Sequence, residues 1–357
     1  MRLGFIVVLC GATAACSSSD FSLGVDDAAG DGATTDSGAT NDAIDIDGTI
    51  EPGPDSAVAE SAPPPDGAPG CGAVEPYTTT VYVNAAAAGG GNGSAECPLR
   101  SLAQAAALPL ATGVSRIVSI RTGTYVEAAT IKVRPRETYK SDGSGLVKVS
   151  GNATAACASG DPCTFQLDGG ALEGIVVEGG TAANGIVAAA TSGSPPSIKG
   201  TTVKNAPKDG IVVLGVGASL GPNTHADANG WAGLVVRNGK ASVNGVGNTF
   251  DGNKGGYYAG ATYIPGAGIL VRAGAGLFVD GGSSASNNNA SGVWFDAGGS
   301  SGANTISQLT ATGNKGSGVF VSKGWQVAFR KSYLNKNSGY GLVVSYDATT
   351  SVDLGGT

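Results

Sequence analysis

The sequence predicts an all-β parallel β-helix, and three observations carry that prediction. A phrase of Gly followed by three mostly apolar residues appears at Gly174 and recurs from Gly185 to Gly341, with steps of 25, 23, 35, 24, 26 and 23 between its glycines from Gly185 onward. Four residues before the glycine stand Asn229, Asn288, Asn314 and Asn337, a second column in the same register. Each repeat holds three short β-branched pieces between Gly, Asn, Asp or Ser turns, with no room for a ten-residue helical pattern. Composition agrees. Of 357 residues 60 are Gly and only 14% are charged, against roughly 25% in an ordinary domain. Leucine-rich, ankyrin and helical repeats are excluded, and the absence of a Gly-X-Y period excludes collagen. Three strands and three turns in ~24 residues make one coil, and coils stack ~4.8 Å apart.

At the N-terminus, Met1-Arg2 leads into the apolar run Leu3–Leu9 and then Thr13-Ala14-Ala15-Cys16. A basic start, a short apolar stretch and small residues describe an export signal over 1–15. The Ala-Ala-Cys ending resembles a bacterial lipoprotein signal, which implies lipidation at Cys16; Thr13 departs from the usual aliphatic residue there. An ordinary cleaved signal is the alternative. Residues 17–70 contain 12 Asp or Glu and no Lys or Arg. With so little apolar surface, 16–70 is expected to be a disordered acidic tether. The whole chain carries a net charge of -7, but 71–357 carry 20 Lys or Arg against 16 Asp or Glu. The acidity belongs to the tether, and no strongly basic face invites nucleic acid.

Cys71, Cys97, Cys157 and Cys163 remain after Cys10 and Cys16. An even number in an exported chain reads as two disulfides. Of three pairings, the sequence-local one, Cys71–Cys97 and Cys157–Cys163, is expected. Residues 71–150 are assigned to an N-terminal cap with the first coils. Strand Thr80–Asn84 is followed by a Gly-rich turn, a short helix with Ser101 as N-cap and Pro109 closing it, and strands around Ile117–Ile120 and Thr124–Tyr125. Residues 151–357 hold the repeats. The 35-residue step contains an insertion with three Tyr; correcting for it places Asn253 in the Asn column, which then forms a ladder between coils. Alternation points Ile211, Val213, Leu234, Val236, Ile269, Val271, Val293 and Phe295 inward. The chain stops at Thr357 short of a further coil, so an uncovered last coil is expected.

The cap order, a strand, an Asn/Gly turn, Pro98-x-x-Ser101-Leu102 and Gly123-x-Tyr125, together with the repeats, resembles the pectate-lyase-like superfamily and its uncharacterised branch. The resemblance covers about 280 residues and implies a right-handed coil. It does not carry a catalytic motif across. The Asp-Asp pair of polygalacturonases is missing after residue 70, His225 precedes Ala rather than Gly, and Asp-Pro-His-Glu is absent. The acid–base candidates are Lys204, Asp227 and Asp251, stacked by register, with nearby His225. Two carboxylates are a thin start for calcium, and no cofactor is expected.

A candidate binding face follows from alternation. Val176, Val187, Val212, Val235, Leu270, Trp294, Phe320 and Val343 all point outward, and Leu270, Trp294 and Phe320 fall side by side. An apolar outward column asks either for a ligand or for cover from the Tyr-rich insertion. Arg272 and Asp296 are expected to pair across adjacent coils. The reading that results is a lipid-anchored outer-membrane protein, periplasmic or at the cell surface. It would be a non-enzymatic scaffold, or a module binding a polysaccharide or surface protein. A lyase or glycoside hydrolase acting on acidic polysaccharide is the rival.

Overall fold

The computed structural model describes residues 71–72 and 78–355, apart from 192, 256, 260, 261, 265, 297, 300, 301 and 348; over 257–259 and 262–264 it describes the backbone alone. The signal, Cys16 and the tether lie outside the described residues. The chain winds through three parallel sheets in fixed order. One coil, for example, runs Ala218–Leu220, His225–Asp227, Leu234–Val236. The first sheet has eleven strands, from Thr80–Val83 to Ser351–Asp353, and the third has nine, from Ile131–Val133 to Leu342–Val344. The second has five, ending at His225–Asp227. It continues through single bridges at Thr249 and Tyr333 and the pairing of Ser283–Ser284 with Leu309–Thr310. Val147–Gly151 pairs on both sides, with Gly123–Glu127 and Val176–Gly180, so the coils run on through residue 150.

The glycine phrase is the third sheet. Ile211, Leu234, Ile269, Val293, Val319 and Leu342 are in register, as are Val212, Val235, Leu270, Trp294, Phe320 and Val343. The eight residues assigned inward are all fully buried. They join Phe165, Trp325 and the inner residues of the other sheets in one core. Gly174–Val177 is a false member of the phrase. Val176 belongs to the second sheet, where it pairs with Thr202 and Lys148.

Turns between the second and third sheets are built on the Asn ladder. Asn253 Oδ1 accepts from Asn229 N (3.0 Å) and Nδ2 (3.2 Å), and Asn288 Oδ1 accepts from Asn253 N and Nδ2 (both 2.9 Å). Asn314 Oδ1 receives the same pair from Asn288, and Asn337 Oδ1 the same pair from Asn314. The residue before each rung is left-handed: Ala228 (φ 56°), Gly252 (66°), Asn287 (58°), Gly313 (68°) and Lys336 (53°). Gly and Asn suit that conformation; Ala228 and Lys336 carry a Cβ against it.

The helix Leu102–Ala107 caps the first coil with Leu102 and Ala105 in the core. Its N-terminal N–H groups are all answered. Ser101 Oγ accepts from Gln104 N, Gln104 Oε1 accepts from Ser101 N, and the buried Glu127 accepts from Leu102 N (2.7 Å) and Ala103 N (3.2 Å). Both disulfides join the expected partners, Cys71–Cys97 and Cys157–Cys163. The insertion leaves and returns at one point. A Cβ on Gly266 would lie 2.2 Å from the carbonyl carbon of Gly255. Between them Tyr257–Ala259 and Thr262–Ile264 form an antiparallel hairpin. Because its ends abut, the coil register passes through undisturbed.

Candidate functional site

Two outer faces carry the predicted residues. On the second sheet, alternation lines up Thr202, His225, Thr249 and Ser284 in one outward column, and Glu178, Lys204, Asp227 and Asp251 in the next. The four acid–base candidates do not form one cluster. Lys204 Nζ turns back to Glu178 Oε1 (3.3 Å), whose other oxygen meets Lys148 Nζ at 2.7 Å. The hydrogen bond from Lys148, ahead of that from Lys204, holds the Glu178 carboxyl below the usual carboxylate range. Asp227 is taken up by the next coil: Oδ1 accepts from Asp251 N and Oδ2 from Thr249 Oγ1, both at 2.7 Å. Thr249 Oγ1 also lies 2.7 Å from His225 Nδ1. Asp251 accepts from Ser284 Oγ (2.9 Å) and Ser286 N (2.6 Å), and burial pushes its carboxyl upward against those bonds.

Sequence reasoning did not single out Glu178, Thr249, Ser284 and Ser286. Thr249 is two residues before Asp251, on the same face by alternation. Glu178 is hidden in the sequence because Gly174–Val177 fits the third-sheet phrase while Val176–Glu178 pairs in the second sheet. No group of three or more His, Cys, Asp or Glu able to hold a metal occurs among the described residues. Both carboxylates accept from protein donors on the neighbouring coil.

The outer face of the third sheet is covered over its first half. Val187 and Val212 are fully buried against Cys157, Cys163 and Ala189, beneath the excursion that the second disulfide closes. Val235 and Leu270 are buried with Ala232 and Ala267, and Trp294 packs at their edge. Leu270, 2% exposed, is therefore not part of an open face. Beyond it burial is partial. Trp294 and Phe320 are half-buried and meet edge to face, with ring centroids 5.8 Å apart. Val343 follows in register, flanked by Tyr340 (50% exposed) and Tyr346 (57%). Beside the stripe, Arg237, Asn238, Arg272, Ala273 and Asp296 line a shallow depression of about 540 Å³. Arg272 pairs with Asp296, and Arg237 reaches Asp209 at 3.7 Å. Asp209 is buried below the cover, and burial raises its carboxyl to about 6.

This architecture has known counterparts. Residues 184–354 match the family model described as a right handed beta helix region. The fold is a right-handed parallel β-helix. Similar solved structures include pectate lyase Pel9A, at 15% identity over 75% of this chain and 80% of that one, TM-score 0.43. The mannuronan C-5 epimerase AlgE6 A-module of Azotobacter vinelandii shares 15% identity over 68% and 72%, TM-score 0.34. A rhamnogalacturonan lyase shares 11% over 77% and 87%, TM-score 0.32. No curated protein matches the chain significantly. A fold hosts many activities.

Proposed function

We propose that this chain is an exported, lipid-anchored β-helix that binds a polysaccharide along the open half of its third sheet. The observation that supports it is the change of that face beyond Leu270, from a buried apolar column to a partly buried aromatic stretch that ends in the exposed Tyr340 and Tyr346. Aromatic rings suit the apolar C–H faces of sugar rings, because they offer flat contact area at small conformational cost. Successive coils repeat at ~4.8 Å, so aromatic side chains on neighbouring coils offer contacts to a polymer laid along the axis. Arg237 and Arg272, beside the stripe, suit an acidic substituent. The signal, Cys16 and the acidic tether support display from a membrane.

A glycan array comparing wild type with Trp294→Ala tests the binding face. Because Trp294 is only half-buried, the substitution is expected to cost about 1–2 kcal/mol of stability, below a full core truncation. Binding to the recognised glycan is expected to fall about tenfold or more. Unchanged binding by a folded Trp294→Ala protein refutes the face. Palmitate labelling and membrane partitioning that survive Cys16→Ser refute the anchor.

A further inference from the structure

We infer that the outer face of the second sheet holds a general base, His225 Nε2, set up to activate water against an ester carried by a bound polymer. The inference goes beyond the binding face just proposed, lies on a different sheet, and does not rest on it. It starts from hydrogen-bond chemistry. Asp227 Oδ2 is an acceptor, so the proton in its 2.7 Å contact with Thr249 comes from the threonine hydroxyl. A hydroxyl has one proton. Thr249 Oγ1 therefore meets His225 as an acceptor across their 2.7 Å contact, and Nδ1 is the ring nitrogen that bears the hydrogen. The neutral ring then carries its lone pair on Nε2, which meets no hydrogen-bond partner among the described residues. Asp227 is itself held by Asp251 N at 2.7 Å, so the chain Asp227–Thr249–His225 is pinned from the coil beyond.

The neighbouring carboxylates are engaged. Asp227 accepts at both oxygens, and Asp251 accepts from Ser286 N and from the one hydroxyl proton of Ser284. They are positioning groups. His225 Nε2 is the acid–base atom of this column that meets no hydrogen-bond partner among the described residues. Lys204, the register partner of Asp227 on the preceding coil, is paired with Glu178 and takes no part. The site lies on an open sheet face, so it suits a group standing off a polymer laid across the coils, such as an O-acyl ester.

The step balances without a cofactor. Nε2 takes a proton from water as the oxygen adds to the ester carbonyl, which gives a tetrahedral oxyanion. Collapse breaks the acyl–oxygen bond, and the departing alkoxide takes the proton from Nε2. Ester and water become acid and alcohol.

His225 is the chain's sole histidine, so its ring can be read without assignment. Nitrogen NMR of the full chain, uniformly ¹⁵N-labelled, is expected to show Nδ1–H in wild type. Thr249→Val is expected to shift the ring toward Nε2–H, the form that unconstrained histidine favours, and Thr249→Ser to keep Nδ1–H. With p-nitrophenyl acetate as probe, the protein should exceed an equal concentration of imidazole by about tenfold or more. His225→Gln should remove that excess, and Thr249→Val most of it. An Nε2–H ring in wild type overturns the proposal. So does hydrolysis no faster than imidazole, or a Thr249→Val protein identical to wild type in both readouts.

Discussion

Replacing Asn288 by Ala removes the middle rung of the ladder. Asn288 is fully buried. Its Oδ1 is the acceptor for two donors of Asn253, backbone N and Nδ2, each at 2.9 Å. Its own Nδ2 donates to Asn314 Oδ1 at 3.0 Å. Truncation leaves both Asn253 donors buried and without an acceptor, while Asn314 Oδ1 keeps the backbone N–H of residue 288. Each abandoned buried donor costs about 1–3 kcal/mol, so Asn288→Ala should lose about 4 kcal/mol. Asn337 serves Asn314 in the same way but is half-buried. Water can replace it, and Asn337→Ala should lose about 1 kcal/mol. Guanidinium unfolding of the two variants and wild type measures both losses. Stacked repeats can unfold in segments, so amide exchange at Asn253 is the local check and should quicken in Asn288→Ala alone. A loss below about 1 kcal/mol for Asn288→Ala, or one no larger than for Asn337→Ala, refutes the idea that the ladder stabilises by satisfying buried donors.

Three further outcomes are expected. Burial raises the Asp209 carboxyl from 3.8 to about 6, so the folded chain binds a proton more tightly than the unfolded one between those values. Stability should therefore fall as pH rises from about 4 to 6, by up to about 3 kcal/mol from this group. Asp209→Asn should flatten that part of the wild-type pH profile in urea unfolding, and an unchanged slope refutes the assignment. Glu127→Ala strips the acceptor from Leu102 N and Ala103 N and should cost about 2–4 kcal/mol in thermal or denaturant unfolding; a loss under about 1 kcal/mol counts against its capping role. Ala228→Gly relieves a left-handed alanine (φ 56°) and should stabilise the chain by about 1 kcal/mol, whereas destabilisation in the same assay argues against strain there.

The repeat was legible because a parallel β-helix puts the same demand on every coil. Residues one and three after each glycine must fill the interior, and one turn position must pass a hydrogen bond to the next coil. Period and alternation alone therefore located the third sheet, its inward residues and the Asn ladder. The helix cap at Ser101 and the two local disulfides were equally readable, since their determinants lie close together in sequence. Gly174–Val177 shows where local pattern fails. Its residues satisfy the phrase, but the strand Val176–Gly180 lies in the second sheet, because sheet identity is settled by which neighbour a strand pairs with.

What lies across the coils belonged to the tertiary structure. Sequence register placed Lys204, Asp227 and Asp251 in one column, yet register positions backbones and leaves long side chains a choice between neighbours. Lys204 turned to Glu178, and Asp227 to Thr249 and Asp251. The outward apolar column was likewise visible in sequence, but its cover was not. Alternation tells which way a side chain points and is silent on what another stretch of chain lays over it. The excursion closed by Cys157–Cys163 buries Val187 and Val212, whereas Phe320 and Val343 further along are only partly buried. The sequence by itself determined the coil, its hydrophobic interior and the turn ladder, because these repeat with a short period along the chain. The pairing of Arg272 with Asp296 also followed from register, but the tertiary structure decided the partners of Lys204 and Asp227 and the cover of the apolar column, because those contacts depend on side-chain reach and on chain laid over the face.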